Sequence, residues 1–253
     1  MLLQSRVLCN LLDNADINPI SYFASPKNGS ERTVFFNALS HLLYMQMSNT
    51  AANLRFSLFI RFVRPLEKVS EAMFTFVAAG NSLRNPGIRT ALAGWCRDVL
   101  GVCTASKTRG NYSLLFDWLV DTPKKGKPSK LQLLSAALKA WSDDPFVTTP
   151  ILKLIMDLVH NRTHRIVFAP SKASGYILCR LAAQCVTSYV AALMPGAPLP
   201  MGAPTPPSGS HVGIGLNPGE NIYKKRYKGL GLCMHILAHL LNGTYVNFGI
   251  MEL

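Results

Sequence analysis

Two pairs of histidines have a spacing that could bind a metal ion. His160 and His164 are four residues apart, and so are His235 and His239 in the segment "HILAH". Two imidazoles one helical turn apart can ligate zinc, and a metalloprotease adds a glutamate directly after the first. An asparagine and an isoleucine occupy those positions here, and no carboxylate-rich segment supplies a third ligand. We therefore interpret these histidines as polar residues on the flanks of packed helices, with no metal and no cofactor.

Other catalytic patterns have little support. The glycines of "GIGLNPG" follow no predicted strand and are spaced one residue too far apart for the dinucleotide-binding fingerprint. The chain has only 13 acidic residues. Asp143 and Asp144 precede Pro145 and predict a turn before a helix, whereas Glu67 and Glu71 are expected on a solvated edge. No local pattern supports a cysteine–histidine nucleophile. The sequence predicts that the protein is not an enzyme.

The strongest unusual property is the charge, which is +13 over 253 residues. Much of it lies in "KKGKPSK" (124–130) and "YKKRYKG" (223–229), and a balance this basic indicates an acidic partner. The cations of the second cluster are Lys224, Lys225, Arg226 and Lys228. We take them as a candidate partner-binding patch, because interleaved tyrosines could stack on bases while the cations contact phosphates. Solvated charge that keeps an apolar chain soluble is the simpler interpretation, and nucleic acid is not the expected partner.

The composition indicates that the secondary-structure elements bury much of each other's surface. Apolar residues make up 49% and charged residues 15%, below the usual share of about a quarter. Six cysteines without a close C-x-x-C pair predict buried, reduced thiols and a nuclear or cytosolic setting. No run is typical of a membrane span, because prolines break the longest uncharged stretch, and the first residues lack the order of a secretory signal.

Apolar residues recur at helical spacing along most of the chain. The expected buried stripes are Phe35, Leu39, Leu42 and Leu43; Leu131, Leu134, Leu138 and Trp141; Val147, Ile151, Leu154, Ile155 and Leu158; and Tyr223, Tyr227, Leu230, Met234, Leu237 and Leu241. Prolines predict some boundaries. Pro65 should kink or split its helix, Pro86 should open one after an asparagine cap, and Thr148 or Thr149 should cap another with Pro150 in its first turn.

The pattern as a whole predicts about eight helices and no sheet. Residues 1–30 form an N-terminal segment of undetermined structure, and residues 31–253 are expected to form HEAT-like helical repeats with insertions at about 122–130 and 195–220. Several helices are apolar nearly all round, which is typical of an α-α superhelix of HEAT or armadillo type. We expect an all-α, open fragment of a longer array. A compact helical bundle is the alternative.

Several segments resemble one family in the same order along the chain. They are "ERTVFFNALSHLL", "LLFDWL", "AWSDDPFVTTPILKLIMDLVHNRTHRIVF", "GYILCR" and "YKGLGLCMHILAHLLNGTYVNFGI". They resemble the middle of the exportin-seven receptors, Ran-binding nuclear transport receptors of the importin-beta superfamily. The resemblance implies a HEAT-repeat superhelix that carries protein cargo with Ran-GTP and shuttles between nucleus and cytoplasm. It also implies apolar grooves that accept the phenylalanine-glycine peptides of nucleoporins during passage through the nuclear pore.

The chain departs from this family in length, charge and insertions. It is much shorter than a full receptor, and the resemblance implies that the N-terminal repeats with the main Ran contact are not part of these 253 residues. Ran-GTP is therefore expected to bind the full-length receptor elsewhere. The family tends to be acidic, whereas this chain is basic. We transfer no individual Ran or cargo residue. The expected function is that of a nuclear export receptor segment that binds protein and not membrane. The alternative is a helical-repeat scaffold that binds an acidic partner such as RNA.

Overall fold

The computed structural model describes residues 29–120, 129–166, 174–193 and 222–242. Within these ranges the chain forms eight α-helices and no strand. They are α1 Gly29–Ser48, α2 Ala52–Ala78, α3 Pro86–Ala105, α4 Arg109–Val120, α5 Lys130–Ala140, α6 Pro145–Val159, α7 Ser174–Leu193 and α8 Ile222–Asn242. The predicted all-α class is confirmed. Residues 1–28, most of the basic insertion, and the proline-rich insertion with "GIGLNPG" lie outside the described residues.

The helices stack in two rows. In the first row α1 packs on α3, α3 on α6 and α6 on α8. In the second row α4 contacts α5, and α5 packs on α7. The indole Nε1 of Trp118 in α4 donates to Glu67 Oε2 at 2.5 Å, which places α2 beside α4 in the second row. Each helix is thus covered mainly by its neighbours along the row and by the row behind, as in a helical solenoid.

Close backbone contact fixes α1 against α3. Gly101 of α3 faces α1, and a Cβ added there would collide with the carbonyl oxygen of Thr33 and the amide nitrogen of Asn37. Next to it, Arg32 of α1 donates from Nε and Nη2 to the two carboxylate oxygens of buried Asp98 at 2.8 and 2.5 Å. A paired guanidinium is what allows this carboxylate to be buried between two helices.

The predicted stripe of α6 is confirmed, and that of α5 is confirmed except for Trp141, which is half-buried at the C-cap of the helix. Leu131, Leu134 and Leu138 are buried in α5, and all five predicted residues of α6 are at most 2% exposed. In α1, Leu39 and Leu43 are buried as predicted, but Leu42 is 47% exposed. The buried residues of α1 also include Phe36, Tyr44 and Met47. The face that packs on the neighbouring helices, chiefly on α3, is therefore rotated relative to the stripe predicted from spacing alone.

The predicted stripe of α8 is wrong. Met234, Leu237 and Leu241 are exposed, by 68%, 37% and 71%. The buried residues are Gly229, Leu232, Cys233, Ile236 and Leu240. This helix is apolar on two faces, and the face with the glycine is the one that α6 and α7 can approach closely, because a Cβ at position 229 would collide with the Tyr189 ring. The side chains of Tyr223 and Tyr227 lie outside the described residues.

Of the two outcomes predicted for Pro65, a kink or a split of the helix, the split does not occur. Helix α2 runs unbroken from Ala52 to Ala78. Phe62, Val63 and Leu66 flank the proline and are at most 1% exposed. Burial of each such side chain contributes about 1.5–3 kcal/mol, which together exceeds the roughly 3 kcal/mol that an internal proline costs a helix.

The predicted start of α3 is confirmed, and that of α6 is wrong by about one turn. The Asn85 side chain accepts a hydrogen bond from the Gly87 amide at 2.8 Å, and Pro86 is the first helical residue. Helix α6 instead begins at Pro145, capped by Asp144, which accepts from the Phe146 amide at 3.0 Å. Asp144 and Pro145 form a helix start that comes before the two threonines in the sequence. The helix therefore already includes Pro150 in its interior.

A buried ion pair corrects two expectations about exposed charge. Lys130 belongs to the basic cluster 124–130, yet it is 3% exposed, and its Nζ lies 3.0 Å from Glu67 Oε2 and 3.1 Å from the Trp118 carbonyl oxygen. Glu67 was expected on a solvated edge with Glu71; only Glu71 is exposed in that way. The pair joins α2 and α5 across the second row.

The described cysteines fit the prediction of reduced thiols. All five are free, four are buried and Cys179 is half-buried. Burial raises the pKa of Cys185 to about 12 and that of Cys233 to about 11. The expectation that no run could span a membrane needs one correction, because α7 is long and apolar enough by length and composition. Here α7 packs on α5 and buries Leu178 and Leu181 in the core.

Candidate binding groove

A wide groove crosses the first row of helices. It has a volume of about 1160 Å³ and is lined from α1, α3, α6, α7, α8 and the turn between α5 and α6. Its apolar lining residues include Pro86, Leu100, Trp141, Pro145, Phe146 and Pro150. Its cations are Arg84, Arg89, Arg97, Lys153 and Lys228. Small-molecule pockets typically hold about 300–1,000 Å³, so a groove of this size suits an extended partner such as a stretch of polypeptide.

The helix starts of α3 and α6 bring arginines and aspartates together at one end of the groove. Arg89 donates from Nε to Asp144 Oδ2 at 2.5 Å and from Nη2 to Oδ1 at 3.2 Å. Arg84 pairs with Asp143 and also donates from Nε to the Ala140 carbonyl oxygen at 2.7 Å. The aspartates thus form a turn before α6, as predicted, and each already has an arginine partner. The groove is left with a surplus of positive charge.

Arg97 is one of the positively charged groove residues without an ion-pair partner among the described residues, and it is half-buried. Its guanidinium lies 5.2 Å from the centre of the Phe146 ring, and the Arg89 guanidinium lies 4.3 Å from the same ring. Burial, together with repulsion from Arg32, lowers the pKa of Arg97. Within the described part of the chain Arg97 forms no ion pair. The Arg97 guanidinium also packs against Gly29 and is attracted by Asp98, whose carboxylate accepts from Arg32. A partly desolvated cation without an ion pair of its own is a position that favours an incoming anion.

The structure places the one described side chain of the predicted basic patch in this groove. Lys228 is exposed near the start of α8 and lines the groove together with exposed Lys153 of α6. Neither lysine forms an ion pair among the described residues. The other patch residues, Lys224, Lys225 and Arg226, belong to the first turns of α8, and their side chains lie outside the described residues.

Of the two histidine pairs that the metal hypothesis required, His235 and His239 lie one turn apart on α8, whereas His160 and His164 do not share a helix. His164 is exposed in the loop after α6, with φ of 49°, so it shares no helix with His160. The His160 ring instead stacks on His239 of α8, with ring centres 4.1 Å apart and planes at 18°. The Nδ1 atom of His160 accepts a hydrogen bond from Arg162 Nε at 2.9 Å. His235 is exposed. The interpretation of His160 as a polar residue on the flank of a packed helix agrees with this contact.

Electrostatics at the stacked histidines oppose a bound proton. Burial and the neighbouring His239 lower the pKa of His160, and burial and His235 lower that of His239. Among the residues that the structure describes, no three histidine, cysteine or carboxylate side chains come together as metal ligands. The stack is a contact between His160, at the end of α6, and His239 of α8.

The chain is similar to known transport proteins over most of its length. It is 29% identical to Exportin-7-B of Xenopus laevis and to Ran-binding protein 17 of Homo sapiens, over 222 residues in each case, which are 88% of this chain and 18% of each relative. It is 25% identical to Exportin-7 of Dictyostelium discoideum over all 253 residues, which cover 22% of that relative. The chain is a homologue of one stretch of these proteins. The resemblance found in the sequence is thus confirmed.

The similarity covers only a small part of the relatives' own length. The chain spans about a fifth of the length of the curated relatives it matches. No family model and no solved structure matches it. The names of these relatives describe export and Ran binding.

Sequence reasoning missed most of the groove. Arg97 and Asp98 are the two charged residues of the helix segment "WCRDVL", whose other members are apolar, and this charged pair was the available signal. Nothing in the sequence pairs it with Phe146, which is 49 positions further on and reaches it only because α3 packs on α6. Lys153 is a single exposed lysine on the largely apolar helix α6, and one lysine by itself does not predict a binding site.

Proposed function

We propose that this chain is a protein-binding segment of a nuclear export receptor. In the full-length receptor it would contribute to carrying protein cargo, with Ran-GTP, through the nuclear pore. The observation that carries the proposal is the likeness to Exportin-7 and Ran-binding protein 17 over 88% of this chain. The two rows of helices and the open groove support it, because stacked helix pairs present extended surfaces for protein partners. The receptor would shuttle between nucleus and cytoplasm.

An exchange experiment tests the proposal directly. The segment replaces its counterpart in a full-length exportin-7 relative, and export of a fluorescent cargo is measured in permeabilised cells with and without Ran-GTP. We expect the chimaera to export cargo only when Ran-GTP is present. A chimaera that is folded and binds Ran-GTP but exports no cargo would contradict the proposal. The same receptor carrying its own segment is the control.

Passage through the nuclear pore requires a further property, which is binding of phenylalanine-glycine repeats of nucleoporins. We expect the 253-residue chain to bind an immobilised repeat polypeptide and to ignore the same polypeptide with serine in place of phenylalanine. Equal retention on both surfaces would show non-specific adhesion and would remove this part of the proposal. Ran bound to a non-hydrolysable GTP analogue is expected not to bind the isolated chain, because the main Ran contact is expected elsewhere.

A second candidate function is RNA binding through the basic patch. The observation that favours it is the clustering of Lys224, Lys225 and Arg226 beside exposed Lys228 at the start of α8. Substitution of all four by glutamine is then expected to abolish RNA binding, and binding should weaken steeply with salt because each neutralised phosphate releases counterions. If protein and repeat binding survive this change, the patch is not part of the transport role.

A further inference from the structure

We propose that the groove across α1, α3, α6 and α8 binds an acidic segment of a partner protein, with Arg97, Lys153 and Lys228 contacting its carboxylates. This inference rests on the proposed protein-binding role and names the chemistry of the partner. The groove carries five cations and two carboxylates among its lining residues. Both carboxylates are already held by Arg84 and Arg89, so the three remaining cations have no counter-charge among the described residues that line the groove.

Arg97 is the residue that most strongly favours binding of an anion in the groove. It is half-buried on α3, lies over the Phe146 ring that Arg89 also covers, and is repelled by Arg32. A carboxylate bound in the groove would offset this repulsion and regain the electrostatic attraction that water screens at an exposed site. Exposed Lys153 and Lys228 offer two further ammonium groups from the next two helices of the row.

The rest of the lining suits a polypeptide with apolar side chains between its acidic residues. Three prolines, Pro86, Pro145 and Pro150, lie among the lining residues with Leu100 and Phe146. Prolines and helix starts form a stiff surface, so little conformational entropy is lost when a partner binds. A partner that alternates carboxylates with apolar side chains would match both the cations and the apolar lining.

The same lining disfavours single-stranded nucleic acid. Base recognition of that kind relies on aromatic rings that are free to stack. The Phe146 ring is covered by two guanidinium groups, and the Trp141 ring lies 5.6 Å from the Arg84 guanidinium while its Nε1 donates to the Leu83 carbonyl oxygen. The Phe146 and Trp141 rings thus already have stacking partners, and Tyr189, the third aromatic ring among the described lining residues, is 2% exposed.

Fluorescence anisotropy with a defined probe tests the inference. The probe is a fluorescein-labelled peptide of twelve residues in which glutamates alternate with leucines, and the matched control has glutamine in place of each glutamate. We expect the glutamate peptide to bind the 253-residue chain and the double variant Arg97→Gln/Lys153→Gln to bind it about tenfold more weakly, since each ion pair of this exposure changes affinity about two- to fivefold. Lys139→Gln, an exposed lysine of α5 outside the groove, should leave the affinity unchanged.

Three outcomes would overturn the inference. They are equal binding of the glutamate and glutamine peptides, an unchanged Kd in the double variant, and tighter, variant-sensitive binding of a labelled twelve-nucleotide oligouridine. A second measurement needs no variant. The glutamate peptide should slow acetylation of Lys153 and Lys228 by an N-hydroxysuccinimide ester, read by mass spectrometry, and should leave Lys139 unaffected. Protection that is absent or uniform among these lysines counts against the groove.

The test separates this inference from the proposed function. If the chimaeric receptor exports cargo but the glutamate peptide does not bind, the transport role stands and the groove assignment fails. If the peptide binds through Arg97 and Lys153 but the chimaera is inactive, the groove is an acidic-peptide site in a protein with another role.

Discussion

Replacement of Glu67 by glutamine tests whether the buried pair with Lys130 matters for stability. The ammonium of Lys130 is held by Glu67 Oε2 at 3.0 Å and by the Trp118 carbonyl oxygen at 3.1 Å, and its side chain is 4% exposed. Glutamine keeps the shape and can still accept from the Trp118 indole, so only the counter-charge is lost. Removal of one partner of a buried pair costs about 3–5 kcal/mol.

The structure sets the expected magnitude near the lower end of that range. The Glu67 side chain is 26% exposed, so water screens part of the interaction, and we expect Glu67→Gln to lower the free energy of unfolding by about 3 kcal/mol. For a chain of this size that corresponds to a fall in Tm of roughly 6–12 °C. Lys130→Met should cost less, about 1 kcal/mol, because it leaves a carboxylate that is partly hydrated and still bonded to the indole.

Thermal unfolding followed by far-ultraviolet circular dichroism measures these differences. Glu71→Gln is the matched control, since Glu71 lies one turn further along α2 and is exposed; it should change the free energy of unfolding by less than about 0.5 kcal/mol. The double variant Glu67→Gln/Lys130→Met should be no less stable than Lys130→Met alone. Equal effects of the two glutamate substitutions, or a larger effect of Lys130→Met than of Glu67→Gln, would refute the reasoning.

Three further predictions concern packing, protonation and thiol access. Gly101→Ala should destabilise the chain by about 1–3 kcal/mol in urea unfolding, because a Cβ there meets the α1 backbone, whereas Gly110→Ala, which faces open space, should not. Burial and the neighbouring His235 lower the pKa of His239 below the ordinary 6.5, so near that pH the folded chain binds fewer protons at His239 than the unfolded chain does. Tm should therefore fall as the pH drops below 6.5, and His239→Asn should make that fall smaller. Iodoacetamide followed by peptide mapping should alkylate half-buried Cys179 before Cys185, whose pKa burial raises to about 12; simultaneous labelling would contradict the burial of α7.

Features set by neighbouring residues were predictable from the sequence. The stripes of α5 and α6 follow from spacing along one helix, and the start of α3 follows from Asn85 and Pro86. The start of α6 was misplaced because Thr148 and Thr149 resemble caps, whereas Asp144 supplies the cap one turn earlier. Among candidate caps, the residue that caps the helix is the one whose side chain reaches the free backbone amides of its first turn.

Features set by distant residues were not predictable from one sequence. Glu67 and Glu71 look alike on α2, and only the arrival of Lys130 from α5 distinguishes them. The buried face of α8 depends on which of its two apolar sides α6 and α7 approach. The groove combines Arg97 of α3 with Phe146 of α6 in the same way. Each of these depends on which helices pack together, and helical spacing carries no information about that.

The unbroken course of α2 through Pro65 has a mechanical consequence. A proline lacks the amide that would hold the preceding turn, so the helix can bend there more easily than elsewhere. The part of α2 before Pro65 is about 20 Å long at 1.5 Å per residue, and its tip carries exposed Leu54 and Phe56. A bend of about 10° at the proline would swing that tip by roughly 3 Å over such an arm. The second row thus contains a lever whose pivot lies in the core and whose free end lies at the surface.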